Sequence, residues 1–241
     1  LIDPFPLRQF NERKIHGMTL TLHCHPLASF CHKVLIALYE NETPFTFKLV
    51  DFSDQTSSAD FRRLWPLAKM PVLRDDARGF TVAESTAIIE YLDAHYPAGT
   101  RFIPRHADPA WQTRMMDRIF DHYVHEPMQK IVTDRLRPAG SSDAHGVEQA
   151  KRQLCDAYGF VEEHLKERTW AIGEDFTLAD CSAAPALFYA NTVAPFEPAQ
   201  QSLAAYLERL MARPSYARVL REAEPYFNLF PLPQKPALAM R

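Results

Sequence analysis

The chain has 241 residues, 46% of them hydrophobic, with 27 basic and 30 acidic side chains and a formal net charge of −3. Such a content of apolar residues can bury one large core or two ordinary ones, and charge this balanced, with no long run of either sign, argues against a nucleic-acid or membrane-surface patch. No stretch approaches the roughly 18 uninterrupted apolar residues of a membrane helix, so a cytosolic, soluble protein is expected, its partners being small molecules and copies of itself.

Residues 1–17, LIDPFPLRQFNERKIHG, precede Met18, where a periodic pattern begins, and are read as a leader or N-terminal extension. From Met18, MTLTLHC alternates with the period of a strand; after a turn at 26–29, FCHKVLIALYE shifts to helical spacing, with Phe30, Val34, Ala37 and Leu38 on one face and His32 toward solvent. PFTFKLVDF reads as a second strand and SADFRRLW as a short helix. PVLRDDARGFTVA reads as a hairpin turning near Arg78-Gly79, and ESTAIIEYLDAHYP as a closing helix. The order βαβ, hairpin, α over 18–97 predicts an α/β domain.

A Pro-rich, charged linker follows at 98–108, and from 109 to 231 every long segment has helical character. PAWQTRMMDRIFDHYVHEPMQKIVTDRL is expected to be one long helix with a kink at Pro127. VEQAKRQLCDAYGFVEEHLKER, TLADCSAAPALFYANTV and SLAAYLERLMARPSYARVLREAE supply the rest, and 232–241 form an extended tail. In FTLADC, Thr177 is an N-cap with Asp180 three residues on, in the manner of a capping box.

The densest chemistry lies in HCHPLASFCH, residues 23–32. His23 and His25 face one side of a strand, but a closed zinc site needs about four converging ligands and no Cys-x-x-Cys or His-x-x-x-His pair is present, so no metal is expected. Cys24 and Cys31 are too widely spaced for the dithiol of a redox motif. They are read, with Cys155 and Cys181, as reduced thiols. A cradle for the thiol of another molecule remains.

Four segments in order, HPLASFCHKVLIALYE, LAKMPVL, VAESTAIIEYLD and FTLADCSAAPALF, with RPSYARVL near the end, resemble the soluble glutathione transferase family over essentially the whole chain from Met18 to about Pro231. The pattern is nearest the theta-like and zeta-like serine classes. The resemblance implies a thioredoxin-like α/β domain followed by an all-α domain, a homodimer, and glutathione as co-substrate. It implies a cis bond at Met70-Pro71, where a trans strand-entry proline is the alternative, that turns the Met70 backbone toward the cysteinyl backbone of glutathione. Glu84 and Ser85, which alone would read as an acidic residue beside an ordinary helix N-cap, become a γ-glutamyl clamp at a helix start that favours an anion. Lys69 matches a position near the glycine carboxylate, with a solvated surface lysine as the alternative.

One position departs from the family. Aligned on Lys33-Val34, the usual catalytic serine falls on Ala28, which has no donor, and Ser29 is the next residue. Ser29 is the candidate for stabilising the thiolate. Two alternatives stand beside conjugation: a binding or interaction protein without catalysis, and a thiol-disulfide exchanger using Cys31, whose bland reading is a small buried apolar residue. The acceptor pocket is expected between the domains, with Met115, Ile119, His122 and Tyr123 of the long helix and the tail near Phe227 as possible walls.

Overall fold

The structure, a computed structural model, describes residues 19–238. The expected leader over 1–17, Met18 and the last three residues of the tail lie outside them. β1 (Leu20–Cys24) is central in a four-stranded sheet with β2 (Thr46–Leu49), β3 (Val72–Asp75) and β4 (Phe80–Ala83), in the order β2-β1-β3-β4. β1 pairs parallel with β2 and antiparallel with β3, and β3 pairs antiparallel with β4. Alternation sets the faces: Leu20, Leu22 and Cys24 are buried while Thr21 and His23 are half-buried. The hairpin between β3 and β4 closes through Gly79 at φ 73°, a left-handed conformation that glycine adopts without penalty.

α1 (Ser29–Glu40), α2 (Gln55–Leu64) and α3 (Ser85–His95) complete a thioredoxin-like βαβαββα domain. An all-helical domain follows: α4 (Ala107–Ile119), α5 (Glu126–Asp134), α6 (Ala144–Leu165), α7 (Leu178–Val193), α8 (Gln201–Ala212) and α9 (Pro214–Ala223), ending in a 3₁₀ segment, Glu224–Leu229. The segment read as a linker carries buried apolar side chains, Phe102 and Ile103, and the Phe102 carbonyl accepts from Leu178 N–H at 3.0 Å. Residues between the domains therefore belong to the common core.

α1 differs from its sequence reading. It packs on α3 on one side and on α7 and α9 on another, so Cys31 through Leu38 are all buried and no single face is apolar. His32 is fully buried rather than solvent-facing, because α7 and α9 cover that side, and its Nε2–H donates to the Pro26 carbonyl. Phe30 is only half-buried and borders open space.

The expected kink at Pro127 is also resolved differently. α4 and α5 are joined without a break by a π-helical turn, Phe120–His125. Proline lacks the N–H that would bond four residues back and its ring crowds that carbonyl, and a widened turn just before it accommodates both.

Candidate functional site

Four chain segments meet at the seam between the domains. The loop before β3 contains the cis Met70-Pro71 bond. At the end of β4, Glu84 takes φ 65° and ψ 117°, a conformation rare for a side-chain-bearing residue, and so turns the chain abruptly into α3. Its own side chain makes no capping bond and is exposed, leaving the first-turn amides of α3 unclaimed by it. Ser85 opens α3 and is buried. Lys69, Met70, Pro71, Glu84 and Ser85 all line one open cavity of about 1150 Å³, whose far wall is Arg118, Asp121, His122, His125 and Glu126 of the helical domain.

Ser29 lines an adjoining cavity of about 480 Å³. Phe30, Phe52, Met70, His125 and Gln129 border both spaces, so the two communicate. Leu27, Met128, Val132, Leu136 and Phe230 make the smaller one mainly apolar. Ala28 is the N-cap of α1 and offers no side-chain bond there. Ser29 is the first residue of the helix, is buried, and its Oγ is hydrogen-bonded to Nε2 of His125 from the π-helical turn. Burial, reinforced by the Lys33 cation, lowers the His125 imidazole to about 4, so the ring is neutral near pH 7.

A buried charge group lies beneath these residues. Lys33 of α1 is 1% exposed, and its Nζ reaches Asp117 at 2.6 Å, Asp121 at 2.9 Å and the Thr86 hydroxyl at 2.9 Å. Arg118 approaches Asp117 at 2.6 Å and Asp121 at 2.7 Å, and the Ser182 hydroxyl of α7 donates to Asp117. Burial pushes the Asp117 carboxyl up, but Lys33, Ser182 and Arg118 outweigh it and hold the group below its ordinary range. For Asp121, burial and the neighbouring Asp117 charge prevail and the carboxyl is pushed up. Because Thr86 follows Ser85, this group anchors the start of α3 from below.

Several expectations need correction. Of the long-helix residues expected to wall a pocket between the domains, His122 lines the larger cavity, while the smaller one is walled by His125, Met128, Gln129 and Val132. Ile119, His122 and Tyr123 border a separate groove with Phe160, Met115 is exposed, and Phe227 is buried against Phe188. Cys24 and Cys31 are both free thiols. Both are fully buried and neither lines either cavity. Cys31 therefore sits in the core, as a small apolar residue would.

His125, Arg118, Lys33, Asp117 and Asp121 were not singled out from the sequence. His125 lies 96 residues from Ser29, and no local pattern marks the pair. Lys33 did carry a signal, a lysine within an otherwise apolar helix. Among the described residues no group of three or more His, Cys, Asp or Glu is placed to hold a metal ion, and no helix is long and apolar enough to cross a membrane.

Comparison with known proteins agrees with this architecture. The family model "Glutathione S-transferase, N-terminal domain" matches residues 28–95, and "Glutathione S-transferase, C-terminal domain" matches residues 111–214. Glutathione S-transferase 3 of Zea mays is 29% identical over 235 residues, covering 93% of this chain and 97% of that protein. FtsZ-localized protein A of Caulobacter vibrioides is 29% identical over 218 residues, covering 85% of this chain and 92% of that one. A solved glutathione S-transferase of Methylobacterium radiotolerans, in complex with glutathione sulfonate, aligns with a TM-score of 0.71 at 26% identity, over 83% of this chain and 93% of that chain. With the two domain models matched in sequence order, one on the α/β domain and one on the helical domain, the chain belongs to the glutathione S-transferase family.

Proposed function

We propose that the protein is a serine-type glutathione transferase, homodimeric and cytoplasmic, with a role in detoxification. Glutathione lies in the larger cavity, its γ-glutamyl carboxylate at the Ser85 hydroxyl and the α3 amides, its amino group toward Glu84, its cysteinyl backbone along Met70 beside Pro71, and its glycine carboxylate near Lys69. Its sulfur points into the smaller cavity, where Ser29 donates to the thiolate. The thiolate attacks the electrophilic carbon of a small hydrophobic molecule, forming a carbon–sulfur bond. The observation that carries the reading is the junction of the two cavities at Met70 and His125, with Ser29 lining the smaller, mainly apolar space beside it and the larger space, with its polar lining, suited to the tripeptide.

The required stabilisation is modest. Lowering a thiol by about two units from near 8.5 takes about 2.7 kcal/mol of preference for the anion. A helix N-terminus supplies about 0.3–1 kcal/mol and a hydrogen bond to a charge about 1.5–3. One hydroxyl together with the α1 dipole is enough, and the dipole alone is not.

The test is a titration of bound glutathione by thiolate ultraviolet absorbance, with an aryl halide as electrophile. The wild type should lower the thiol well below its free value, and Ser29→Ala should cut kcat/KM about 10- to 100-fold. Undiminished turnover in Ser29→Ala would remove Ser29 from the mechanism. A second reading, a binding or interaction protein without catalysis, is favoured by Ala28 at the usual serine position and by the relative whose name refers to FtsZ localisation. Binding with an unshifted thiol would select it.

A further inference from the structure

We propose that His125 is a positioning residue, which holds the Ser29 hydroxyl so that its proton is free to point at the glutathione sulfur. This inference rests on the glutathione reading above and extends it to a residue of the second domain.

A serine hydroxyl has one proton and two lone pairs. If Ser29 donates to Nε2 of His125, the proton is spent and nothing remains for a thiolate. If Nε2–H donates to Ser29 Oγ, the hydroxyl proton is released for the sulfur. The other ring nitrogen decides between them. Nδ1 of His125 is buried and has no hydrogen-bond partner. In the first arrangement Nδ1 carries a proton, an orphaned buried donor. In the second it carries only a lone pair. Orphaned buried N–H groups are the rarer of the two, so the Nε2–H form fits this environment.

The surroundings keep that form. The ring is 6% exposed and packs on Phe30 with centroids 4.1 Å apart. The charged group facing it from α1 is Lys33, itself held by Asp117 and Asp121; within its own helical segment Asp121 lies one turn back, and the neighbouring Glu126 is paired with His122. A cation nearby and a burial that disfavours charge both oppose protonation, so the imidazole donates through one nitrogen only. A donor behind the hydroxyl oxygen also polarises its O–H and strengthens the bond it makes in front. The pair thereby answers the defect at Ala28. The first domain has lost its donor at that position, the next residue supplies a hydroxyl, and the helical domain fixes which way that hydroxyl points.

The experiment compares the wild type with His125→Phe, which removes the donor, and His125→Gln, whose amide can return an N–H near Nε2. Expected are a bound thiol pKa higher by about one unit in His125→Phe, kcat about tenfold lower, an unchanged KM for glutathione, and recovery of most of both losses in His125→Gln. A His125→Phe protein that titrates and turns over like the wild type would overturn the positioning role and leave the transferase reading standing. Absence of glutathione binding in the wild type would overturn both. Should the variants fail to fold, nitrogen NMR of histidine-labelled wild type decides: a bare Nδ1 and protonated Nε2 on His125 support the assignment, and the opposite tautomer refutes it.

Discussion

Glu84 holds the most demanding backbone position of the site. At φ 65° and ψ 117° it lies outside even the left-handed region that polar residues tolerate, a conformation costing on the order of 1–3 kcal/mol for a residue with a Cβ. Its side chain repays none of this through capping, being exposed and unbonded at the helix start. Glu84→Gly should therefore raise stability to urea by about 1 kcal/mol while weakening glutathione binding. A variant less stable than wild type would show that the carboxylate contributes to folding. That Met70, Glu84 and Ser85 would lie together could be expected from the chain because each sits in a short contiguous motif, and they line one cavity. Ser29 could be read only as the nearest hydroxyl to a missing one, and its partner not at all, since a contact spanning 96 residues leaves no trace in local spacing.

At the scale of single helices, the capping box at α7 does more than its sequence indicates. Asp180 accepts from Thr177 N–H at 2.8 Å and the Thr177 hydroxyl at 3.0 Å, and also from Ala171 N–H at 2.8 Å and the Tyr206 hydroxyl at 2.6 Å. One fully buried carboxylate thus starts α7 and ties it to the preceding loop and to α8. Asp180→Ala would orphan at least two of these buried donors, and the expected cost is about 3–5 kcal/mol, or a fall of roughly 10 °C in Tm. Thermal unfolding followed by circular dichroism checks it, and a loss of only a degree or two would reduce Asp180 to an ordinary cap. The sequence revealed the first half of this role through the Thr-x-x-Asp spacing and hid the second, because Ala171 and Tyr206 are brought in by tertiary packing. The π-helical turn was hidden for a related reason. A proline announces that a helix must adjust, not whether it bends or widens, and here the helix widens in the turn that carries His125.

For the molecule as a whole, the order of elements was legible because periods of two and of 3.6 residues change where strands give way to helices. Burial on every side of α1 was not, since a helix between two layers has no polar face to mark its orientation. Burial of His32 on α1 and of His125 on the π-helical turn has a consequence for acid stability. Burial lowers both His32 and His125 to about 4. An unfolded histidine titrates near 6.5, so between those values the unfolded chain binds protons that the native one refuses. Stability is then fully present above about pH 6.5 and declines as the pH falls toward 4, by up to about 3 kcal/mol per histidine. Urea unfolding across this range should show the decline, and a flat profile down to pH 4.5 would contradict it.

The charge group around Lys33 has an evolutionary corollary. Its buried lysine comes from α1, while both carboxylates and Arg118 come from α4 and the turn that follows it. Separated at 96–106, the second domain would keep Arg118 against both acids, whereas the first would keep Lys33 without either of its carboxylate partners. The halves are consequently poor candidates for shuffling as independent modules. A chimaera that exchanged the second domain would have to bring acids matching Lys33 across the seam, which ties position 33 to positions 117 and 121.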